Sequence, residues 1–190
     1  SDIIKMKNIT YINNKFVKHG EAKISVEDRG FLFADSIYEL ISVFNKKIID
    51  IDQHLNRLKS SLNKVKIKYN FNKKKIRKII NKLIKLNNVI NGYIYIQITR
   101  GVAERKHEFP KQYKPTTIIF TKNLNIDKKL YEKGVKIITI SDLRWLRRDI
   151  KTTSLLPNVL SKQLAVEKNA FESWLIDNGN VTEGSASNAW

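Results

Sequence analysis

Ile76, Ile79, Ile80 and Leu83 repeat at the spacing of one helical face, with Lys73, Lys74, Lys75, Arg77, Lys78 and Lys82 between them. This is an amphipathic helix with one apolar stripe, and the stripe needs a layer to lie on. A helix just before it, with Asp52 as N-cap and running through His54, Leu55, Leu58, Leu62 and Val65, has the same need. The flanking segments supply the layer. Ile9-Thr-Tyr-Ile12 and Lys15-Phe-Val17 read as a hairpin about a tight Asn13-Asn14 turn. Ala22 to Val26 alternates and is expected to pair next. Asp35-Ser36 resembles a helix cap, whereas Leu40-Ile-Ser-Val-Phe44 favours a strand. Asn45-Lys46-Lys47 turns the chain into Ile48-Ile49. Asn91-Gly92 opens a strand from Tyr93 to Thr99, and Ile118 to Phe120 is another. Strands, two helices and more strands predict an α+β layered domain.

A polar stretch from Thr121 to Lys129 then reads as a linker. The expected division is a first domain over 1–121, a linker over 122–130 and a second domain over 131–190. Val135 to Ile140 starts a new strand, and Leu156-Pro157 opens a helix through Val159, Leu160, Leu164 and Ala165. Ser173 to Ile176, a turn at Asp177 to Asn180, and the segment from Val181 form a hairpin. Trp190 stands where a strand is expected to continue, so the second domain is expected to be incomplete.

The net charge of +18 raises nucleic acid or an anionic membrane as a partner. The basic helix carries no aromatic residue to stack on bases, so its lysines read as a solvated face and no nucleic-acid partner is expected. A hydrophobic fraction of 42% supports a packed core. The chain has no cysteine, which excludes disulfides and thiolate metal sites, and its three histidines are not spaced to bind a metal together. No apolar run is long enough to cross a bilayer and no signal-like segment opens the chain, so a cytoplasmic location without a membrane partner is expected.

Two segments carry the chemistry. In Asp149-Ile-Lys-Thr-Thr-Ser-Leu-Leu156, Lys151 could form a Schiff base with an aldehyde cofactor. Trp145, Leu146, Ile150, Leu155 and Leu156 are expected to bury that region and so activate the amine. In Val181-Thr-Glu-Gly-Ser-Ala-Ser-Asn188, Glu183 could face a pyridine nitrogen, and the small residues after it could let backbone and hydroxyls approach a phosphate. Alone, each segment reads as a surface lysine and an ordinary turn; together they suggest pyridoxal-phosphate chemistry. Arg57, in His54-Leu-Asn-Arg57, is either a solvated residue or a phosphate clamp. Arg105 and His107 lie in a basic loop that could bind a carboxylate. Asp28-Arg29-Gly30 with Phe31 and Phe33 reads as a turn with buried aromatics that shapes the fold.

Taken in order, Glu27-Asp-Arg-Gly-Phe-Leu-Phe-Ala-Asp35, Tyr38-Glu39, His54-Leu-Asn-Arg-Leu58, Gln97-Ile-Thr-Arg-Gly101, Asp142-Leu-Arg-Trp-Leu-Arg147 and the two segments above resemble the class IV, or fold-type IV, pyridoxal-phosphate aminotransferases. The resemblance runs from near Tyr11 to Trp190. It implies an N-terminal α/β layered sandwich followed by an incomplete C-terminal pseudo-barrel domain. Within the class, Arg105 and His107 make the D-amino-acid aminotransferases the nearest branch. Branched-chain aminotransferases and aminodeoxychorismate lyases share the fold, the lysine and the glutamate, and remain the alternative; a basic fragment that binds nucleic acid is the alternative of another kind.

The resemblance implies that Lys151 holds pyridoxal 5'-phosphate as a Schiff base and moves the proton at the substrate α-carbon. Glu183 would keep the ring nitrogen protonated, Arg57 would hold the phosphate, and Ser185, Ser187 and Asn188 would lie against the cofactor. Tyr38, Arg105 and His107 would trap the substrate carboxylate, with the loop contributed by the other subunit of a homodimer. The implied substrates are a D-amino acid such as D-alanine and a 2-oxo acid such as 2-oxoglutarate. The chain departs from the family pattern at Ala34-Asp35-Ser36, where Gly-Asp-Gly is usual, and at Ala186, where a serine is usual. The family also continues for roughly a third more of its length, with further phosphate ligands at a helix N-terminus.

Overall fold

The computed structural model describes residues 8–125 and 128–188. They fall into two compact units, the first comprising residues 8–125 with 149–153 and the second 128–148 with 154–188. The lysine segment therefore belongs with the first unit.

The first unit is a six-stranded sheet with helices packed against one face. Its strands are β1 (Ile9–Ile12), β2 (Lys15–Lys18), β3 (Ser36–Phe44), β4 (Lys47–Ile48), β5 (Gly92–Thr99) and β6 (Thr117–Asn123), in the spatial order β2-β1-β6-β5-β3-β4. All the pairings are antiparallel. Asn13 and Asn14 adopt positive φ of 45° and 70°, as a two-residue primed turn requires, so the hairpin closes where it was expected. The register pairs Ile37 with Ile98, Ile41 with Ile94, and Ile96 with Ile119, which gathers the isoleucines on one face. Helices α2 (Ile51–Lys64) and α3 (Lys73–Leu86) cover that face, and Leu55, Leu58, Ile80 and Leu83 are fully buried with it. The apolar stripe of α3 is therefore the core stripe, and its lysines point away. The opposite face carries a row of rings, with Tyr38 stacked on Tyr95 at 5.7 Å and Tyr95 on Phe120 at 4.9 Å.

Several local expectations change. Ala22 to Val26 forms no strand: a 3-10 turn at His19–Glu21 leads the chain off the sheet edge, and Val26 is exposed. The cap-like Asp35-Ser36 opens strand β3, because the Asp35 carboxylate is engaged by two arginines and caps no helix. Helix α2 starts before Asp52, after Asp50 in a left-handed conformation, and Asp52 pairs with Arg77 instead of capping. Asn72 does cap α3, accepting from the Lys75 amide at 2.9 Å. Phe31, on the short helix α1 (Arg29–Phe33), is exposed although the sequence suggested burial, because α1 turns its charged Arg29 inward.

The second unit contains helix α4 (Lys128–Lys133), strand β7 (Ile137–Ser141), helix α5 (Leu156–Glu167) and strands β8 (Glu172–Asp177) and β9 (Asn180–Gly184). β6 continues to Asn123 and α4 begins at Lys128, within the stretch read as a linker. β7 pairs parallel to β8, and β8 pairs antiparallel to β9 in the expected hairpin. The expectation placed on Trp190 lies outside the described residues. Among the described residues no helix is long and apolar enough to cross a membrane.

Candidate active site

Lys151 is placed by main-chain bonds. Its carbonyl accepts from the Tyr38 amide at 2.9 Å, and its amide donates to the Ser61 hydroxyl at 3.2 Å. On either side, Ile150 is buried in the core and Thr152 forms a bridge to Ile37 of β3. The segment thus lies between β3 and α2, and the ammonium stands 4.7 Å from the centre of the Tyr38 ring, within cation–π range. The burial expected from flanking apolar residues takes another form: Trp145, Leu146 and Leu156 are exposed, and Ile150 is the one buried residue of that set. What packs the segment is β3 and α2, residues distant in sequence.

Arg57 lies on α2 one turn after His54. Its Nε and Nη2 donate to the Glu39 carboxylate at 2.6 and 2.8 Å, and Glu39 also meets His54 Nδ1 at 2.7 Å. Glu39 is the polar residue on the isoleucine face of β3 and is fully buried. Burial alone would raise its pKa, but the hydrogen bonds and charges of Arg57 and His54 outweigh it and the net shift is downward. Glu39 therefore fixes the orientation of Arg57, whose side chain remains half exposed.

In the second unit Glu183 sits on β9 and pairs with Arg144 through one carboxylate oxygen, Oε2. Arg144 also grips Asp142 at 2.9 Å, and Arg148 spans Asp142 and Asp177, while the Thr182 hydroxyl donates to Asp142 at 2.7 Å. Three carboxylates thus face two guanidiniums. Among the described residues no group hydrogen-bonds Oε1 of Glu183. Asp142 is held well below the usual carboxylate range, first by its hydrogen bond from Arg144 and then, against burial, by Thr182.

The turn after Glu183 is folded by another acid. Glu172, buried at the start of β8, accepts from the hydroxyls of Ser185 and Ser187 and from the amides of Ser173 and Ala186. These bonds lower its pKa although burial, the largest single influence, pushes it up. Gly184 donates to the Ser187 carbonyl at 3.0 Å, and a Cβ on it would come within 2.7 Å of that oxygen, so the tight turn needs glycine. Asn188 is exposed just beyond.

Because Asp142 and Glu172 bind their protons more weakly in the folded chain than in the unfolded one, acid favours unfolding. Their contribution is fully present above about pH 5 and is lost as pH falls through about 4 toward the depressed folded values. The thermal midpoint is expected to fall between pH 5 and pH 3, and Asp142→Asn should flatten that slope; an unchanged slope would mean the ion-pair cluster does not form.

Residues 36–190 match the family model described as amino-transferase class IV. The chain belongs to the class IV aminotransferases. It is 42% identical over 181 residues to the D-alanine aminotransferase of Staphylococcus aureus (strain MSSA476), covering 95% of this chain and 64% of that protein. Against the D-alanine aminotransferase of Bacillus licheniformis the identity is 37% over 178 residues, covering 94% of this chain and 63% of that protein. This class IV aminotransferase thus spans a little under two thirds of the length of these relatives. A branched-chain amino acid aminotransferase from Escherichia coli shares its fold, with a TM-score of 0.85 at 20% identity over 94% of this chain and 63% of that one. So does a second branched-chain amino acid aminotransferase, the T.th. enzyme complexed with N-(5'-phosphopyridoxyl)-L-glutamate, with a TM-score of 0.83 at 22% identity over 94% and 62%. The fold is therefore α+β, of the fold-type IV kind.

Each unit by itself carries donors of the kind that class's cofactor takes: the first an amine against an aromatic ring and an arginine held by a buried acid, the second a carboxylate with one oxygen unengaged by described residues. Sequence reasoning left Glu39, Arg144 and Glu172 without roles. Glu39 had a signal, because it breaks the apolar alternation of β3 at an inward position. Arg144 lay in a quoted motif but showed no partner, and Glu172 gave no signal at all.

Proposed function

We propose that this class IV aminotransferase transfers an amino group between a D-amino acid such as D-alanine and a 2-oxo acid such as 2-oxoglutarate. The observation that carries the reading is the pairing of Arg105 and His107 on one exposed loop in a chain 42% identical to D-alanine aminotransferases. Class IV aminotransferases use pyridoxal 5'-phosphate, which when bound supplies an electrophilic carbon for the amino group and a sink for the electrons of the α-carbanion. Lys151 would hold that cofactor through its side-chain amine and would move the proton at the substrate α-carbon. Glu183, through its unengaged oxygen, holds the proton at the ring nitrogen. Arg57, oriented by Glu39, binds the phosphate. Ser185, Ser187 and Asn188 belong to the turn beside the cofactor, with both serine hydroxyls directed to Glu172. Tyr38, Arg105 and His107 bind the substrate α-carboxylate. The reading includes a cytoplasmic homodimer in which each site takes the Arg105 loop of its neighbour.

The test is turnover with D-alanine and 2-oxoglutarate against turnover with L-leucine. Only the D-pair should react, and activity with L-leucine alone would replace this reading with the branched-chain one. Arg105→Ala should raise KM for D-alanine roughly ten- to a hundred-fold, the scale of one charged hydrogen bond; an unchanged KM would remove the carboxylate trap.

A further inference from the structure

From Arg100 to Thr116 the chain forms neither helix nor strand, yet it carries Arg105 and His107. Loops of this length that keep one shape need tertiary anchors; Arg100 and Tyr113 tie this one to main-chain groups of Val65, Lys66 and Lys68, and a second set of anchors comes from one motif, Asp28 to Asp35. Asp28 is fully buried and accepts from the hydroxyls of Thr99 and Thr116, the residues at the two ends of the loop, at 3.1 and 2.6 Å. Those ends close tightly at Gly101, which has φ of 95° and would place a Cβ 2.0 Å from the Lys114 carbonyl oxygen. Arg29 reaches the tip. Its guanidinium, 3% exposed as a residue, donates from Nη1 to the Lys106 carbonyl at 2.5 Å and from Nη2 to the His107 carbonyl at 3.3 Å. Its Nε donates to Asp35 at 2.8 Å, and Arg100 takes both oxygens of that same acid.

Phe33 completes the arrangement. Its ring centre lies 4.9 Å from the Arg29 guanidinium, 5.3 Å from that of Arg105 and 5.3 Å from the His107 ring. The Arg105 and His107 side chains thus rest on one aromatic surface, and the carbonyls of Lys106 and His107 hang from one buried arginine.

We infer that Arg29, with Phe33, is a specificity-positioning pair: it holds the Arg105–His107 tip in the shape that receives a carboxylate, and so governs the affinity for substrates without touching them. The inference rests on the proposed role of Arg105 and His107. It explains why a buried arginine is kept where an apolar residue would cost less desolvation: two loop carbonyls lie within reach of a donor fork, and only arginine spans both and an acid together.

The test compares Arg29→Gln, Arg29→Lys and Phe33→Leu in the full chain. In Arg29→Gln the Asp35 carboxylate stays paired with Arg100, and Phe33→Leu leaves every Arg29 bond in place, so at least one folded variant is available. Amide hydrogen exchange without cofactor should speed up at least about ten-fold over residues 103–108 in Arg29→Gln, less in Arg29→Lys, with the isoleucine-rich strands unchanged. With cofactor, KM for D-alanine should rise about ten-fold in Arg29→Gln and Phe33→Leu, with kcat within about two-fold, a pattern of lost binding common to ground and transition states. Wild-type exchange over 103–108 in Arg29→Gln, or a fall in kcat at constant KM, overturns the inference. If Arg105→Ala raises KM but neither Phe33→Leu nor Arg29→Gln does, the positioning claim fails and the trap stands. If Arg105→Ala leaves KM unchanged, the trap fails, and the specificity claim built on it is overturned even where the exchange result shows the loop held.

Discussion

Lys151→Ala should abolish amino transfer and with it the visible absorbance that the cofactor acquires when joined to a lysine. The expected loss in kcat is at least about 10³-fold, since the proposed function gives one side chain both the covalent step and the proton transfer, and a positioned acid–base alone contributes about 10²–10⁴. The structure makes this a clean experiment. The bonds that fix the segment, from the Tyr38 amide to the Lys151 carbonyl and from the Lys151 amide to Ser61, use main-chain atoms of residue 151 and survive truncation to alanine. The thermal midpoint should therefore move by no more than about 2 °C, about half to one kcal/mol for a chain of this size. Persistence of the lysine-dependent absorbance in the variant would show that another amine carries the cofactor. The assignment of Lys151 would then be wrong.

Glu183→Ala should cost roughly a hundred-fold or more in kcat, the scale for removing one preorganised partner from a site of developing charge. The local charge balance sharpens the expectation. Arg144 and Arg148 offset two of the three carboxylates in their cluster, so the third negative charge faces whatever stands beyond Oε1. A protonated ring nitrogen matches that excess. With alanine at 183 the excess disappears, and Arg144, still paired with Asp142, no longer leaves a negative charge for a cation at the same place. Glu183→Gln, isosteric but neutral, should lose nearly as much. If the glutamine variant keeps wild-type kcat, the charge of Glu183 is not what holds the proton on the ring.

The elements were legible in the sequence where one local pattern dictated one outcome. The α3 stripe of Ile76, Ile79, Ile80 and Leu83, the Asn13-Asn14 turn and the β8–β9 hairpin all formed as their spacing required. Patterns failed where a local preference lost to a distant partner. Asp35 carries a helix-cap signal, but Arg29 and Arg100 claim its carboxylate, and strand β3 follows. Asp52 has the right residue type for a cap and is drawn to Arg77. The same reason hides half of the candidate site. Lys151, Glu183, Arg105 and His107 stand in recognisable segments, whereas Glu39, Arg144, Glu172 and Arg29 act through partners remote along the chain, and a single sequence does not display such pairs.

Strands β3 and β5 have two faces with separate burdens. Ile37, Ile41, Ile94, Ile96 and Ile98 carry the packing against the helices, while Tyr38, Tyr95 and Gln97 alternate with them on the other side. A period of two keeps neighbours in sequence from being neighbours in space. Substitutions on the tyrosine side leave the isoleucine packing that specifies the fold in place.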